Sequence, residues 1–297
     1  MQSPAPPVRK TDNLRGVLLM AAAFAFFATG DMLAKLMTGS FHPLQIVWTR
    51  QLGLMAGVAI ALLLLGPSIL RTAHPRLQVA RGLLAVTSAA LFITAIKYVP
   101  LADAIAVSFV APFMVTALGA LVLGETVGVK RWSAVIVGFI GMLVIIRPGL
   151  GVTHPAVGLI VIAAAAFALR QVLSRRLAST DRTMTTLSYT ALVSVFALTL
   201  PLPFVWTTPD QAWQIGVFVI FAGFAAVGEI LVIKSLEVGE ASALAPVHYS
   251  LLIWGVIWGW TVFGDLPDLW TWVGAAIVMA TGLYIIQRER RLAKMRR

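Results

Sequence analysis

The sequence predicts an all-α integral membrane protein, ten transmembrane helices arranged as two inverted five-helix repeats. Three observations carry this. Of 297 residues, 59% are hydrophobic and only 12% charged, whereas a soluble chain needs about a quarter of its residues charged. Apolar runs of roughly the 20 residues that span a bilayer recur along the chain. And charged, Gly and Trp positions of the first half return in the second.

The elements follow in order. Residues 1–15, MQSPAPPVRKTDNLR, are a polar, proline-bearing tail. The apolar run behind it is too long for a signal-peptide core and lacks an A-x-A exit, so it reads as an uncleaved first helix. The spans are 16–37, 43–66, 77–98, 101–124 and 132–147, then 156–178, 184–206, 213–238, 240–263 and 270–287, bounded by polar or Gly/Pro clusters. Their continuous apolarity indicates helices; barrel strands alternate over about ten residues. The first repeat is therefore 16–147 and the second 156–287, with a basic tail at 288–297.

Topology follows from Lys and Arg. With the N-terminus inside, the inner segments, Arg71, Arg76 and Arg81 among them, hold eighteen of the 23 basic residues, and the outer ends hold Lys35, Lys97 and Arg147. Both termini are thus expected in the cytoplasm, in a bacterial inner membrane. This asymmetry also accounts for the +11 net charge without a nucleic-acid partner. With no cysteine, disulfides and thiolate metal sites are excluded. No H-E-x-x-H, G-x-S-x-G or Walker lysine loop occurs, and the four histidines form no pair at ligand spacing. Neither an enzyme, a metal site nor a cofactor is expected. A channel would show rings of pore-lining groups; scattered charges suit a carrier better.

The repeat is visible residue by residue. AIKYVPLADAIA (Ala95–Ala106) aligns with VIKSLEVGEASA (Val232–Ala243), matching Lys97 to Lys234 and Asp103 to Glu240. VLGETVGVKRW (Val122–Trp132) aligns with VFGDLPDLWTW (Val262–Trp272), matching Gly124 to Gly264, Glu125 to Asp265 and Trp132 to Trp272. Because five is odd, the second copy must enter the membrane from the other side.

The order AKLM…HPLQIVWTR, then LADAIAVSFVAPF…LGE and VIVGFIGMLVI, resembles one half of the drug/metabolite transporter superfamily, most closely its EamA branch of ten-helix bacterial exporters. The resemblance covers about Leu14 to Gln287. It implies secondary transport of small organic metabolites, commonly amino-acid efflux, through a central cavity. The second half departs from the pattern: Asp265 replaces the glutamate of the LGE turn, and APVHYS (Ala245–Ser250) replaces APF. The first-helix glutamate that small multidrug relatives use for proton coupling has no counterpart in AAAFAFF (Ala21–Phe27). Coupling to a proton or solute gradient stays open, with Glu229 and His248 as titratable candidates.

Candidate substrate contacts are charges and aromatics inside spans. Asp31 lies roughly 22 Å along its helix and Arg50 roughly 10 Å in from the outside, so they can share a level. Arg170, roughly 21 Å deep, and Glu229, roughly 24 Å deep, can share another, on the cytoplasmic side of centre. Ionised groups in hydrocarbon cost about 2.5–3.5 kcal/mol and so face a partner or water. They read as structural ion pairs or as contacts for a zwitterionic solute. Lys35 falls at the outer edge, where it can snorkel to water. Trp48, Trp254, Trp258, His248 and Tyr249 can wall a cavity or simply pack. Pro112 and Pro246, one per repeat, mark candidate helix breaks. The expected cargo is a small amphipathic metabolite, with amino acids, aromatic or large apolar ones included, ahead of hydrophobic cations or drugs; a scaffold or receptor is the remaining alternative.

Overall fold

The computed structural model describes residues 12–124, 127–148, 154–178 and 180–295. Most of the N-terminal tail, Glu125 of the repeated turn and the last two arginines lie outside them. Besides the single turns Pro67–Leu70 and Leu202–Val205, the described residues are helical in ten successive segments: α1 (Asn13–Met37), α2 (Pro43–Leu65), α3 (Pro75–Ile96), α4 (Leu101–Ser108 continued by Ala111–Leu123), α5 (Val129–Ile146), α6 (Val157–Leu177), α7 (Thr183–Thr199), α8 (Ala212–Val238), α9 (Ala241–Leu244, a 3₁₀ turn Ala245–Tyr249, then Ser250–Phe263) and α10 (Leu269–Met295).

Local sequence sets these limits. Pro43 and Pro75 open α2 and α3 at the position where a missing N–H costs nothing. The Asp12 carboxylate accepts from the Arg15 N–H at 3.0 Å and caps α1. The repeat-matched Gly124 and Gly264 both end their helices with positive φ, 66° and 72°, a conformation glycine adopts without steric cost. Pro201 follows α7 and leaves only the single turn Leu202–Val205 beyond it.

Among the described residues, eight helices are long and apolar enough to cross a membrane: α1, α2, α3, α4 across its break, α5, α6, α8 and α10 to Arg288. The other two of the ten expected spans are shorter or divided, the division of α9 falling at the candidate break Pro246. Helix α7 stops at Thr199, short of 206, and is a shorter apolar helix; α9 is divided by its 3₁₀ turn. Helix α10 continues to Met295, past the expected 287, because RERRLAKM contains no helix breaker.

The chain runs back and forth between two ends of one bundle. At one end gather the links after α1, α3, α5, α7 and α9, joined by Lys35 to Val99 and Asp265, Arg147 to Asp268, Tyr98 to His154 and Gln45 to Thr207. At the opposite end Asp12 and Asn13 meet Val238 and Glu240, and Thr72 meets Asp181. Helix α1 therefore starts at the Asp12 end and α6 at the Lys35 end. Packing follows the same exchange. Helix α1 packs on α8 as α6 packs on α3, α2 on α8 as α7 on α3, and α1 on α9 as α6 on α4; α2 and α7, α4 and α9, and α5 and α10 pair with each other.

Close approach explains part of that pattern. A Cβ on Gly53 would meet the Ala222 carbonyl oxygen at 2.1 Å, and one on Gly274 the Gly141 oxygen at 2.6 Å, so α2–α8 and α5–α10 touch backbone to backbone. The main core lies between the halves, with Ile46, Ile93, Phe109 and Phe113 fully buried.

Candidate functional site

On the Lys35 side of the bundle's centre, Asp31 of α1 and Arg50 of α2 line one crevice with Phe26, Phe27, Gly30, Phe221 and Ala225. In this conformation the lining side chains close it, leaving no room for a water-sized solute, so a metabolite pocket of roughly 300 Å³ or more requires it to open. Its walls come from both halves. Asp31 and Arg50 share this level, yet no contact of the Lys35–Asp265 kind (3.7 Å) joins them among the described residues. The Arg50 guanidinium lies 6.0 Å from the Phe27 ring centre instead.

The second charge layer behaves alike. Arg170 of α6 is within reach of the charges of Glu229 on α8 and Arg50 on α2, helices that do not pack on α6. Arg170 makes no ion-pair contact with Glu229; its guanidinium lies over Phe167 at 4.7 Å, and its Nε is buried without a partner. Neither charge pair that the sequence permits closes into a contact pair. In both layers an aromatic face substitutes for the missing carboxylate contact.

The helix breaks supply the next part. Pro112 has no N–H to give the Ser108 carbonyl, and α4 is interrupted at Phe109 and Val110. Pro246 sits in the 3₁₀ turn of α9. The two breaks face each other: Phe109 stacks edge-on against Tyr249 at 5.2 Å and lies 5.7 Å from His248. His248 also meets Phe24 edge-on at 4.9 Å, and Phe24 lies 6.4 Å from Phe27. A continuous aromatic band therefore runs from Arg50 to Tyr249.

The tryptophans divide. Trp254 and Trp258 stack on one face of α9 with centres 6.5 Å apart, and the Trp258 indole N–H is buried without a partner. Trp48 belongs elsewhere: it donates to the Thr199 hydroxyl at 2.9 Å and meets Trp206 edge-on near the Lys35 end. There it closes the α2–α7 seam.

Both ends are tied across the halves. At the Lys35 end the lysine Nζ donates to the Val99 carbonyl at 2.8 Å, lies 3.7 Å from Asp265, and its side chain is 12% exposed. This corrects the snorkelling expectation: carbonyl and carboxylate hold Lys35 inside the bundle. Arg147 bonds Asp268 nearby. The Asp268 carboxyl carries a small burial penalty, but Thr271 and Arg147 hold it below its usual range. At the Asp12 end Asp181 accepts from Thr72 at 2.5 Å and Gln78 at 2.6 Å. Its slight burial raises the carboxyl pKa, and those bonds, the Ala73 N–H and His74 more than reverse it.

One residue was misplaced in sequence. Arg81 counts there among the cytoplasmic loop charges, yet it is 9% exposed on α3. Its Nε donates to Ser174 at 2.6 Å and its Nη1 to the Thr190 hydroxyl. The missed signal is that Gln78 and Arg81 continue, at helical spacing, into the small residues Gly82 and Ala85, so that all four share one buried face. The phenylalanines of the band were missed because an apolar span offers no contrast against which they stand out.

Membrane-length helices in two exchangeable halves, tied at both ends around an internal charged crevice, define the class: a polytopic membrane transporter. The chain belongs to the EamA-like transporter family, whose pattern matches twice, at residues 14–147 and 154–287. It is 30% identical over 299 residues to a riboflavin transporter of Vibrio cholerae, covering 97% of this chain and 98% of that one. An S-adenosylmethionine uptake transporter of Rickettsia prowazekii is 24% identical over 279 residues, 94% of each chain. The pseudopaline exporter CntI of Pseudomonas aeruginosa is 24% identical over 282 residues, 93% of this chain and 97% of that one. A solved crystal structure, 19% identical, covers 93% of this chain and 98% of its own with a TM-score of 0.62, and shares the fold. The protein is thus a multi-pass membrane transporter of a small molecule and not an enzyme.

Proposed function

We propose that this chain is a ten-crossing carrier of the bacterial inner membrane, with both termini in the cytoplasm. Residues 16–147 and 156–287 act as inverted repeats between the tails 1–15 and 288–297, and the solute is moved by alternating access on an ion or solute gradient. The cargo is a small amphipathic metabolite that pairs an apolar, often flat ring with a charged or polar chain. Aromatic amino acids fit that description. So do riboflavin and S-adenosylmethionine, which the names of two relatives widen the choice to; those names include both uptake and export.

One observation carries the reading. The crevice of Asp31 and Arg50 lies between two tied ends and is walled by both halves. Releasing one tie while the other holds opens it to one side only. Arg50 and Arg170 then receive a carboxylate, Asp31 and Glu229 an ammonium, and the band from Phe27 to Tyr249, with Trp254 and Trp258, receives the ring.

The test is counterflow in proteoliposomes preloaded with tryptophan, phenylalanine or riboflavin, reading entry of the labelled solute. Saturable exchange that alanine at Asp31 or Arg50 abolishes is the expected result. If no solute exchanges, the carrier reading falls. If only hydrophobic cations exchange, Asp31 alone recognises cargo and the zwitterion reading falls.

A further inference from the structure

The interior charges do not balance. Arg81 feels the charges of Arg170 and Glu229, Arg170 those of Glu229 and Arg50, and Asp31 that of Arg50; three arginines against two carboxylates leave one positive charge over. Arg81 has spent its guanidinium on hydroxyls and a carbonyl, those of Ser174, Thr190 and Thr186. The Ser174 hydroxyl in turn donates to the Arg170 carbonyl at 2.7 Å, so Arg81 is anchored to the helix that carries Arg170. Arg170 is the unfinished member: half-buried, resting on Phe167, its buried Nε–H without an acceptor. A buried guanidinium N–H left unbonded is costly, and a planar oxyanion is the partner its fork geometry fits.

We propose that Arg170 is the seat of a carboxylate on the transported solute and that Arg81 holds the surrounding layer positive, making the carrier selective for solutes bearing an acid group. This rests on the carrier reading above and narrows it. Recognition occurs on the Asp12 side of centre, with the aromatic band extending from there toward the Lys35 end. Arg81 is a positioning residue, bonded to protein throughout; Arg170 makes the contact.

Matched acid and amide solutes test the seat apart from transport. Thermal unfolding of the purified full-length protein is followed with tryptophan against tryptophanamide, and phenylacetate against phenylacetamide. Stabilisation by the acids alone is expected, with Arg170→Gln weakening it roughly 10–100-fold, the loss of a charged hydrogen bond, and Arg170→Lys weakening it less. Arg81→Gln should weaken the acids without opening the site to the amides; if Arg81→Gln does not fold, Arg81→Lys serves for the same comparison. Amides stabilising as well as acids, no acid stabilising at all, or acid binding unchanged in a folded Arg170→Gln protein each overturn the proposal. Counterflow on the same pairs separates the two readings. Acids that bind through Arg170 but never exchange remove the carrier and leave the seat; exchange indifferent to acid or amide removes the seat and leaves the carrier.

Discussion

Replacing Gly53 by alanine should separate α2 from α8, whereas the same change at Gly57, one turn further on, should not. Four residues apart on α2, the two form a small-residue pair of the kind that lets membrane helices approach closely. A Cβ at Gly53 would lie 2.1 Å from the Ala222 carbonyl oxygen and 2.7 Å from its carbon; at Gly57 nothing lies within 4 Å. Ordinary contact begins near 3.4 Å, so the added methyl must push the helices about 1.3 Å apart. Backbone cannot rotate away as a side chain can. Overpacking of this kind costs about 1–3 kcal/mol, against which alanine returns up to about 1 kcal/mol in helix propensity. At Gly57 only the propensity gain applies. Thermal unfolding of the two variants, followed by size-exclusion in detergent, should place Gly53→Ala below the parent and Gly57→Ala at or above it. Equal midpoints would refute the backbone contact, and with it the position of Phe221 and Ala225 opposite Arg50.

Further outcomes follow from the ties. Lys35→Met should loosen the Lys35 end. Since the chain has no cysteine, a single Ala225→Cys in the crevice reports this as several-fold faster labelling by an impermeant maleimide added outside; an unchanged rate would show that Lys35 holds nothing closed. The Asp181 carboxyl, held below its ordinary 3.8, stabilises the native state above that value and ceases to as pH falls through its lowered folded value. The difference in unfolding midpoint between parent and Asp181→Asn should therefore persist at neutral pH and vanish in strong acid; a gap that widened in acid would contradict the sign. Gly282→Ala should displace the Tyr249 ring, whose hydroxyl would lie 1.7 Å from the new Cβ, and reduce transport of ring-bearing solutes while expression is retained.

Much of the fold was legible because lipid imposes a single rule, an apolar run of fixed length, on every spanning helix. The duplicated Lys, acid, Gly and Trp positions disclosed two repeats even at low similarity. The division of α9 was legible at Pro246, but the end of α7 was less so, because Pro201 acts on backbone while leaving the apolar run unbroken. Sequence placed Asp31, Arg50, Arg170 and Glu229 within spans, where an ionised group needs a partner or water. It assigned partners from depth alone, and depth fixes a level without fixing which way a side chain turns. Arg81 escaped because its position near a span end matched the topology rule as well as it matched burial.

The 3₁₀ turn in α9 has a mechanical meaning. Such a turn rises about 2.0 Å per residue and advances about 120°, against about 1.5 Å and 100° in an α-helix. Five residues, Ala245–Tyr249, recoiled to α geometry would shorten the segment by about 2.5 Å and rotate all that follows by about 100°. The Trp254–Trp258 face would swing through that arc with no hinge elsewhere and no loss of helical backbone bonding beyond one turn. A carrier with this element has a screw thread in its ninth helix, its pitch set by one proline.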